Sequence, residues 1–450
     1  MTLRYDESLQ TLVNAVVEWF GPESILNAVL VRDASGRLAA ILGQEVASEK
    51  LASASAAVSA ALGPYARQDR PIADLNGAGS ARLLAEAQAT APINVGKFRC
   101  RLIDRRIVGA DWLRPPASTP TGIPRLVFAS LKGGVGRSTA LCIIAAHLSR
   151  RGLRVLAIDF DLEAPGLGSM LLNPTELPKF GTLDYFVETG LSDIDNLFLS
   201  QLAGDSFLGA DGGRVTVVPA IGQSTIENPE NALGKIARAY LETIKSDGSV
   251  CTLSEKLREM VEKFEATGAY DIVLIDARAG LHETTAAALL GLGANTLMFG
   301  VDQPQTFLGY KLLMAHLGQF PVDVKDDWRE RLYFVHAKAS DAPDKQTQAE
   351  EHFLQLYDAV VHEKNQITEP EQNLTADDFN LDWDQEAETE DADAGFSPPP
   401  VFHVLDDSRY RDFNPISERN LFLSDTYAKT FGSLLDYVDT ITNDDLMSDT

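Results

Sequence analysis

The sequence predicts an α/β protein: a doubly wound, mostly parallel sheet with helices on both faces, preceded by a small α+β domain. Three observations carry this. From residue 125 onward, unbroken apolar runs of four to six residues (126–130, 155–160, 215–220, 271–276, 296–301, 332–337) alternate with longer stretches of helical spacing. Strands apolar throughout, with helices between them, imply βαβ units and a parallel sheet buried on both sides. The first 115 residues have a different texture, with one clear helix, a hairpin signal and an alternating run. Finally, 450 residues, 45% of them hydrophobic and 23% charged, fall in the ordinary globular range and suggest roughly two to four domains.

The N-terminal domain is expected over 1–115. Leu9, Leu12, Val13, Val16, Val17 and Phe20 recur at helical spacing, and Gly21-Pro22 stops the helix. Two apolar runs then flank Asp33-Ala34-Ser35-Gly36, a hairpin signal, and an Ala-rich helix follows over 48–62. Residues 98–112 alternate, with a turn expected at Asp104-Arg105. Arg99, Arg101, Arg105 and Arg106 read as the solvent face of a strand rather than as an anion site. Residues 116–124, rich in Pro, Ser and Thr, read as a linker. The second domain is expected over 125–345. A helix and an acidic, mobile insertion occupy 346–398, and a strand and helix over 399–450, with an acidic tail, complete the domain. Between 369 and 393 there are eleven acidic residues and no Lys or Arg, a composition that cannot bury enough apolar surface to fold alone.

Charge is unevenly placed. Residues 1–116 hold 13 Lys+Arg against 12 Asp+Glu; the rest hold 26 against 53. A chain of net charge −26 repels DNA and anionic lipid over most of its surface, so DNA is an unlikely partner and no membrane role is expected. Cys100, Cys142 and Cys251 are far apart, with no metal-ligand spacing, and three scattered thiols fit a reducing cytoplasm. The start of the chain lacks the basic and apolar regions of a signal peptide. The uncharged stretch 284–301 contains Gly291, Gly293 and Asn295, and reads as buried helix, turn and strand rather than a membrane span.

The strongest signal lies in residues 126–148, LVFASLKGGVGRSTALCIIAAHL. A buried strand runs into Lys132-Gly133-Gly134-Val135-Gly136-Arg137-Ser138-Thr139 and then into an apolar helix. Glycines let the backbone curl and aim its N–H groups inward, and the helix N-terminus adds its positive dipole end. Such a junction suits a di- or triphosphate, with Ser138 placed for Mg²⁺ and Thr139 for a more distal phosphate oxygen. Two later strands end in carboxylates: Asp159 and Asp161 after VLAI, and Asp276 after DIVLI. All three fall where open α/β sheets bind ligands, beyond the strand carboxyl ends. Glu163, two residues past Asp161, reads as a supporting or partner-facing group.

These residues resemble the ParA/MinD family of deviant Walker A ATPases, in the SIMIBI class of P-loop NTPases, whose loop reads KGGxGK[ST]. The resemblance spans roughly 125–341. It implies ATP and Mg²⁺ as ligands and a homodimer with ATP. Lys132 matches the lysine that reaches across that dimer. Asp161 matches the carboxylate that orients the attacking water, and Asp159 the one that supports the loop. Asp276 matches the residue holding Mg²⁺ through a water, and Gly280 the switch glycine that senses the γ-phosphate. His336 falls near the family's base-reading Asn. Two positions depart. Arg137 replaces the usual loop lysine, as in the poorly characterised KGGVGR branch, and Arg278 replaces the switch proline. A guanidinium is planar, larger and bidentate, so it is not equivalent to an ammonium.

Within the resemblance, cluster carriers need interface cysteines, membrane-cycling relatives a basic terminal helix, partitioning relatives a basic DNA surface and tyrosine kinases a tyrosine cluster; this chain has none of these. What remains is an ATP-binding, slowly hydrolysing ATPase, a cytoplasmic dimer switch acting on a protein partner in bacterial regulation. The alternative is a nucleotide-binding scaffold in which Arg137 permits binding with little hydrolysis.

Overall fold

The structure, a computed structural model, describes residues 3–448 except 89, 91, 107–108, 190, 192–193, 210–211, 245–249 and 362–395. The acidic run 369–393 therefore lies outside the described residues. The chain forms two compact units, one built on the residues up to Leu113 and the other on those from Arg114 onward.

The first unit has a five-stranded sheet in the order β3-β2-β1-β5-β4. Its strands are β1 (Val29–Arg32), β2 (Leu38–Ile41), β3 (Ile72–Ala73), β4 (Ile93–Val95) and β5 (Phe98–Asp104). The side chains of β1 alternate between two cores. Leu30 joins Leu12, Val16 and Val58 of the helices Tyr5–Phe20 and Ser48–Leu62, whereas Val29 and Val31 join Ala87 of the helix Ser80–Ala87. The β1–β2 turn closes because Asp33 Oδ1 accepts the N–H groups of Ser35 and Arg37, both at 2.9 Å. The alternating run differs from expectation. It is one strand, β5, that turns back on β4 through Gly96-Lys97, with Gly96 at φ 57°, and it ends at Asp104. A two-residue turn needs positive φ, which Gly supplies; Asp104-Arg105 lacks that residue. Three of the four arginines are paired within the unit. Arg101 donates to the carbonyls of Ala87, Gln88 and Thr90, Arg105 pairs with Glu86, and Arg106 pairs with Asp104.

The second unit is built on an eight-stranded sheet. In chain order its strands are β6 (Arg125–Ser130), β7 (Arg154–Asp159), β8 (Gly204–Asp205), β9 (Arg214–Val218), β12 (Ile272–Ala279), β13 (Asn295–Gly300), β14 (Leu332–Ala339) and β15 (Phe402–Leu405). A separate two-stranded ribbon, β10 (Thr243–Ile244) and β11 (Val250–Cys251), interrupts the series. The order is β15-β14-β13-β6-β12-β7-β9-β8, parallel throughout except for the edge strand β8. The chain leaves β6 toward β7 on one side, and β13 lies on the other, so the crevice at the carboxyl end of β6 is the topological switch point.

β6 is buried at every residue. The helix that follows it, Arg137–Arg150, is buried continuously from Ala140 to Ala146. Its other side is covered by the last helix, Ser424–Ser448, through Tyr427, Phe431, Leu434 and Val438. Asp439 of that helix ties it down, accepting from Arg151 at 2.6 Å and meeting His147 at 2.8 Å. The Pro-rich segment 116–124 is held against this unit. Ala117 N–H donates to Leu290 O at 2.7 Å, and Thr119 donates to Asp326 through its N–H and Oγ1. Residues 284–301 form buried helix, turn and strand. No helix among the described residues is long and apolar enough to cross a membrane.

Neighbouring β14 and β15 place His336 beside His403, Nδ1 to Nδ1 at 3.2 Å. Burial and the second imidazole push His336 down to about 4, and burial lowers His403. A histidine depressed in the fold contributes stability above its unfolded value near 6.5, and that contribution is lost as pH falls toward 4. Going from pH 7.5 to 5, the wild type should therefore lose more stability than H336Q/H403Q, about 2 kcal/mol of it from His336. Thermal melts at the two pH values check this; equal losses would contradict it.

Candidate functional site

β6 ends at Ser130, and the chain crosses to the helix in six residues. Gly134 and Gly136 take φ 72° and 87°, conformations that L side chains rarely adopt. Gly136 is the N-cap and brings no side-chain cap, so the first N–H groups of the helix face the loop without an internal acceptor. Lys132, Gly133 and Gly134 are exposed, whereas Val135 is buried in the core under the helix. Val135 is thus an anchor, and only its backbone can face a ligand. Two contacts fix the foot of the loop: Ser130 Oγ donates to Lys132 O at 2.9 Å, and Gly280 N–H, at φ 96°, donates to Ser130 O at 2.8 Å. Lys132 Nζ donates to Gln305 Oε1 at the start of the helix Pro304–Leu317. Thr139 lies one residue beyond Ser138, half-buried in the first turn of the helix.

Under the loop the sheet brings three carboxylates together. Asp159 and Asp276 stand opposite each other in the β7–β12 register, 0% and 2% exposed, and Asp161 follows at 7%. Asp159 accepts three backbone N–H groups, from Asp161 (3.1 Å), Gly166 (2.9 Å) and Leu167 (3.0 Å), and so shapes the loop after β7. Burial, with Asp276 beside it, pushes Asp159 up to about 7 despite those bonds. Burial raises Asp276 too, opposed by Arg137 and Ser138.

Arg137 is the counter-charge. Its Nε donates to Asp276 Oδ1 at 2.5 Å, its Nη1 donates to Ser130 Oγ at 3.2 Å, and its Nη2 lies 3.6 Å from Asp161 Oδ2. Ser138 Oγ donates to Asp276 Oδ2 at 2.6 Å. A hydroxyl and a carboxylate side by side are hard oxygen donors that fit Mg²⁺. Among the described residues no three His, Cys, Asp or Glu converge as a metal cage.

An outer group sits beyond these acids. Glu163, two residues past Asp161, pairs with Arg278, two residues past Asp276. Tyr240 OH donates to Glu163 Oε1 at 3.1 Å, and His282 Nε2 lies 3.6 Å from the same oxygen. Sequence reasoning singles out Glu163 and Arg278. It misses Ser130, Gln305, Tyr240 and His282; only Ser130, the last residue of the strand before the loop, carries a positional signal. His336 is 5% exposed, turned to His403 and packed near Phe353, so its ring is engaged inside the unit.

Nothing lies within 4 Å of where a Cβ on Gly136 would stand. The harm in G136V is therefore backbone strain of about 1–3 kcal/mol and a distorted cradle, not a packing clash. G136V should lower ATP affinity at least tenfold by calorimetry; unchanged affinity would contradict the assignment of the loop.

Comparison with known proteins finds similarities over this region. Residues 126–305 match the family described as the CobQ/CobB/MinD/ParA nucleotide binding domain. Among solved structures, the chain is similar to a ParA family ATPase from Chlorobium tepidum TLS, at 14% identity over 69% of this chain and 98% of that one (TM-score 0.43). It is also similar to an ATP complex of McdA from Cyanothece, at 12% identity over 71% and 98% (0.41). A third is the septum site-determining protein MinD from Pyrococcus horikoshii OT3 complexed with Mg-ADP, at 18% identity over 51% and 76% (0.35). A search of curated proteins finds no match. The segment 126–305, two-fifths of the chain, is thus similar to the CobQ/CobB/MinD/ParA nucleotide binding domain.

Proposed function

We propose that the chain is an ATP-binding, slowly hydrolysing ATPase that works as a nucleotide-dependent dimer switch on a protein partner. The observation that carries this is the position of Arg137. It stands at the first turn of the loop helix, where the loop's own cation belongs, and reaches both Asp276 and Asp161. The loop 132–139 cradles the phosphates with its N–H groups, and Arg137 supplies positive charge to the β and γ oxygens. Ser138 and Asp276 would hold Mg²⁺, which when bound offsets phosphate charge. Asp161, beside the site, orients water; Asp159 keeps the loop after β7 in shape; Gly280, tied to Ser130, carries the switch segment.

Slow turnover follows from the two demands on Arg137. To reach phosphate it must leave charge-assisted contacts with buried carboxylates, which are strong and specific for a planar fork. A group that binds ground and transition state alike adds affinity without rate. Turnover should fall below roughly 1 per second, and R137K should keep binding and raise it. A fall in turnover with R137K would mean that the surroundings are shaped for a guanidinium in catalysis. The scaffold reading, with no hydrolysis, is favoured only by the 3.6 Å approach of Arg137 to Asp161, which holds the water-orienting group in an ion pair.

The dimer rests on Lys132, which bonds to Gln305 rather than folding back into its own loop. Light scattering should show a doubled mass with a non-hydrolysable ATP analogue and a monomer mass for K132A. A dimer of equal population without nucleotide would remove the switch.

A further inference from the structure

We infer that Arg278 is a phosphate-sensing residue that tells ATP from ADP, with Glu163 as the partner that competes with the γ-phosphate for its guanidinium. The inference deepens the reading of loop 132–139 as a nucleotide site and rests on it.

Placement is the first argument. The pairing of β12 with β6 shifts register between Asp276 and Ala279, and Ala279 pairs with Ser130 at the foot of the loop. A bulge of this kind re-aims the side chains within it and occurs beside active sites. Arg278 lies inside it, one residue from the Ser130 contact. Its carbonyl accepts from Thr285 Oγ1 at 3.0 Å, so the backbone is held apart from the ion pair that its side chain makes with Glu163. Glu163 stands on the other flank, after β7, so the pair bridges the two segments that border the loop.

The second argument is a crowded oxygen. Glu163 Oε1 is approached by Arg278 Nη1, by Tyr240 OH and by His282 Nε2. A carboxylate oxygen has about two lone-pair sites, which Arg278 and Tyr240 fill, while His282 Nε2 stands just outside hydrogen-bond reach at 3.6 Å. If Arg278 turns away, the Tyr240 hydroxyl still donates to Glu163, so the carboxylate is not stranded. Burial works to raise the Glu163 carboxyl, but the bonds from Arg278 and Tyr240 outweigh it and hold the group ionised. A γ-phosphate offers Arg278 two oxygens in a fork–fork geometry, a stronger match than one shared oxygen. ADP offers no such group at that end. The exchange therefore depends on the terminal phosphate, and it leaves Glu163 to the hydroxyl of Tyr240 at the end of the helix Ala232–Ala239.

Equilibrium binding of ATP and ADP to the full chain tests this, alongside thermal melts. R278A should weaken ATP binding at least tenfold and leave ADP within twofold. E163Q, which weakens the competitor, should tighten ATP several-fold, again with ADP unchanged. The exchanged variant E163R/R278E restores the ion pair; it should recover the melting temperature lost in R278A but not the ATP affinity. Recovery of ATP affinity in the exchanged variant, or an E163Q that weakens ATP as R278A does, would show a static brace and overturn the inference. A wild type that binds neither nucleotide would instead sink the assignment of loop 132–139, and this inference with it.

Discussion

The second unit is organised around buried negative charge at the end of its sheet. Parallel pairing of β7 and β12 forces Asp159 and Asp276 opposite each other in a nearly solvent-free position. Two carboxylates cannot both ionise there without compensation. The structure answers with three backbone N–H groups on Asp159 and with Arg137 and Ser138 on Asp276. The same compensation fixes the loop after β7, the first turn of the loop helix and the foot of the switch segment. The arrangement therefore stabilises the fold and prepares an anion site in one step.

This explains why the arginine at position 137 matters more than a change of one basic residue for another. A lysine offers a point charge, whereas the guanidinium touches Asp276 and Ser130 and lies near Asp161 at once. It bridges three elements that a ligand must separate. In the proposed function, affinity and rate are set by the balance between carboxylate and phosphate for the same cation, and the inferred exchange at the Glu163–Arg278 pair would repeat that balance one step further out.

Much of this is legible in the sequence. The unbroken apolar runs mark the parallel strands because burial on both faces removes alternation. The glycines at 134 and 136 mark the loop because only Gly takes those φ angles freely. Carboxylates at strand ends are readable because a strand fixes direction. The hairpin at Gly96 is mistaken for a turn at Asp104, since alternation marks a strand but not its partner. Tyr240 and Gln305 are invisible for a different reason. Tyr240 meets Glu163 across 77 positions and Gln305 meets Lys132 across 173, and no local pattern records such a meeting. The engagement of Arg137 with Asp276 is hidden in the same way: the sequence shows both residues and not the bond.

The central claim is that the 132–139 loop holds a triphosphate and turns it over slowly. Phosphorus-31 spectra of Mg·ATP with excess protein test both halves in one sample. The account predicts shifted, broadened β and γ resonances at once, followed by slow growth of ADP and phosphate signals over minutes. Resonances that stay at their free positions at protein excess would contradict it, because no phosphate would then be touching the loop.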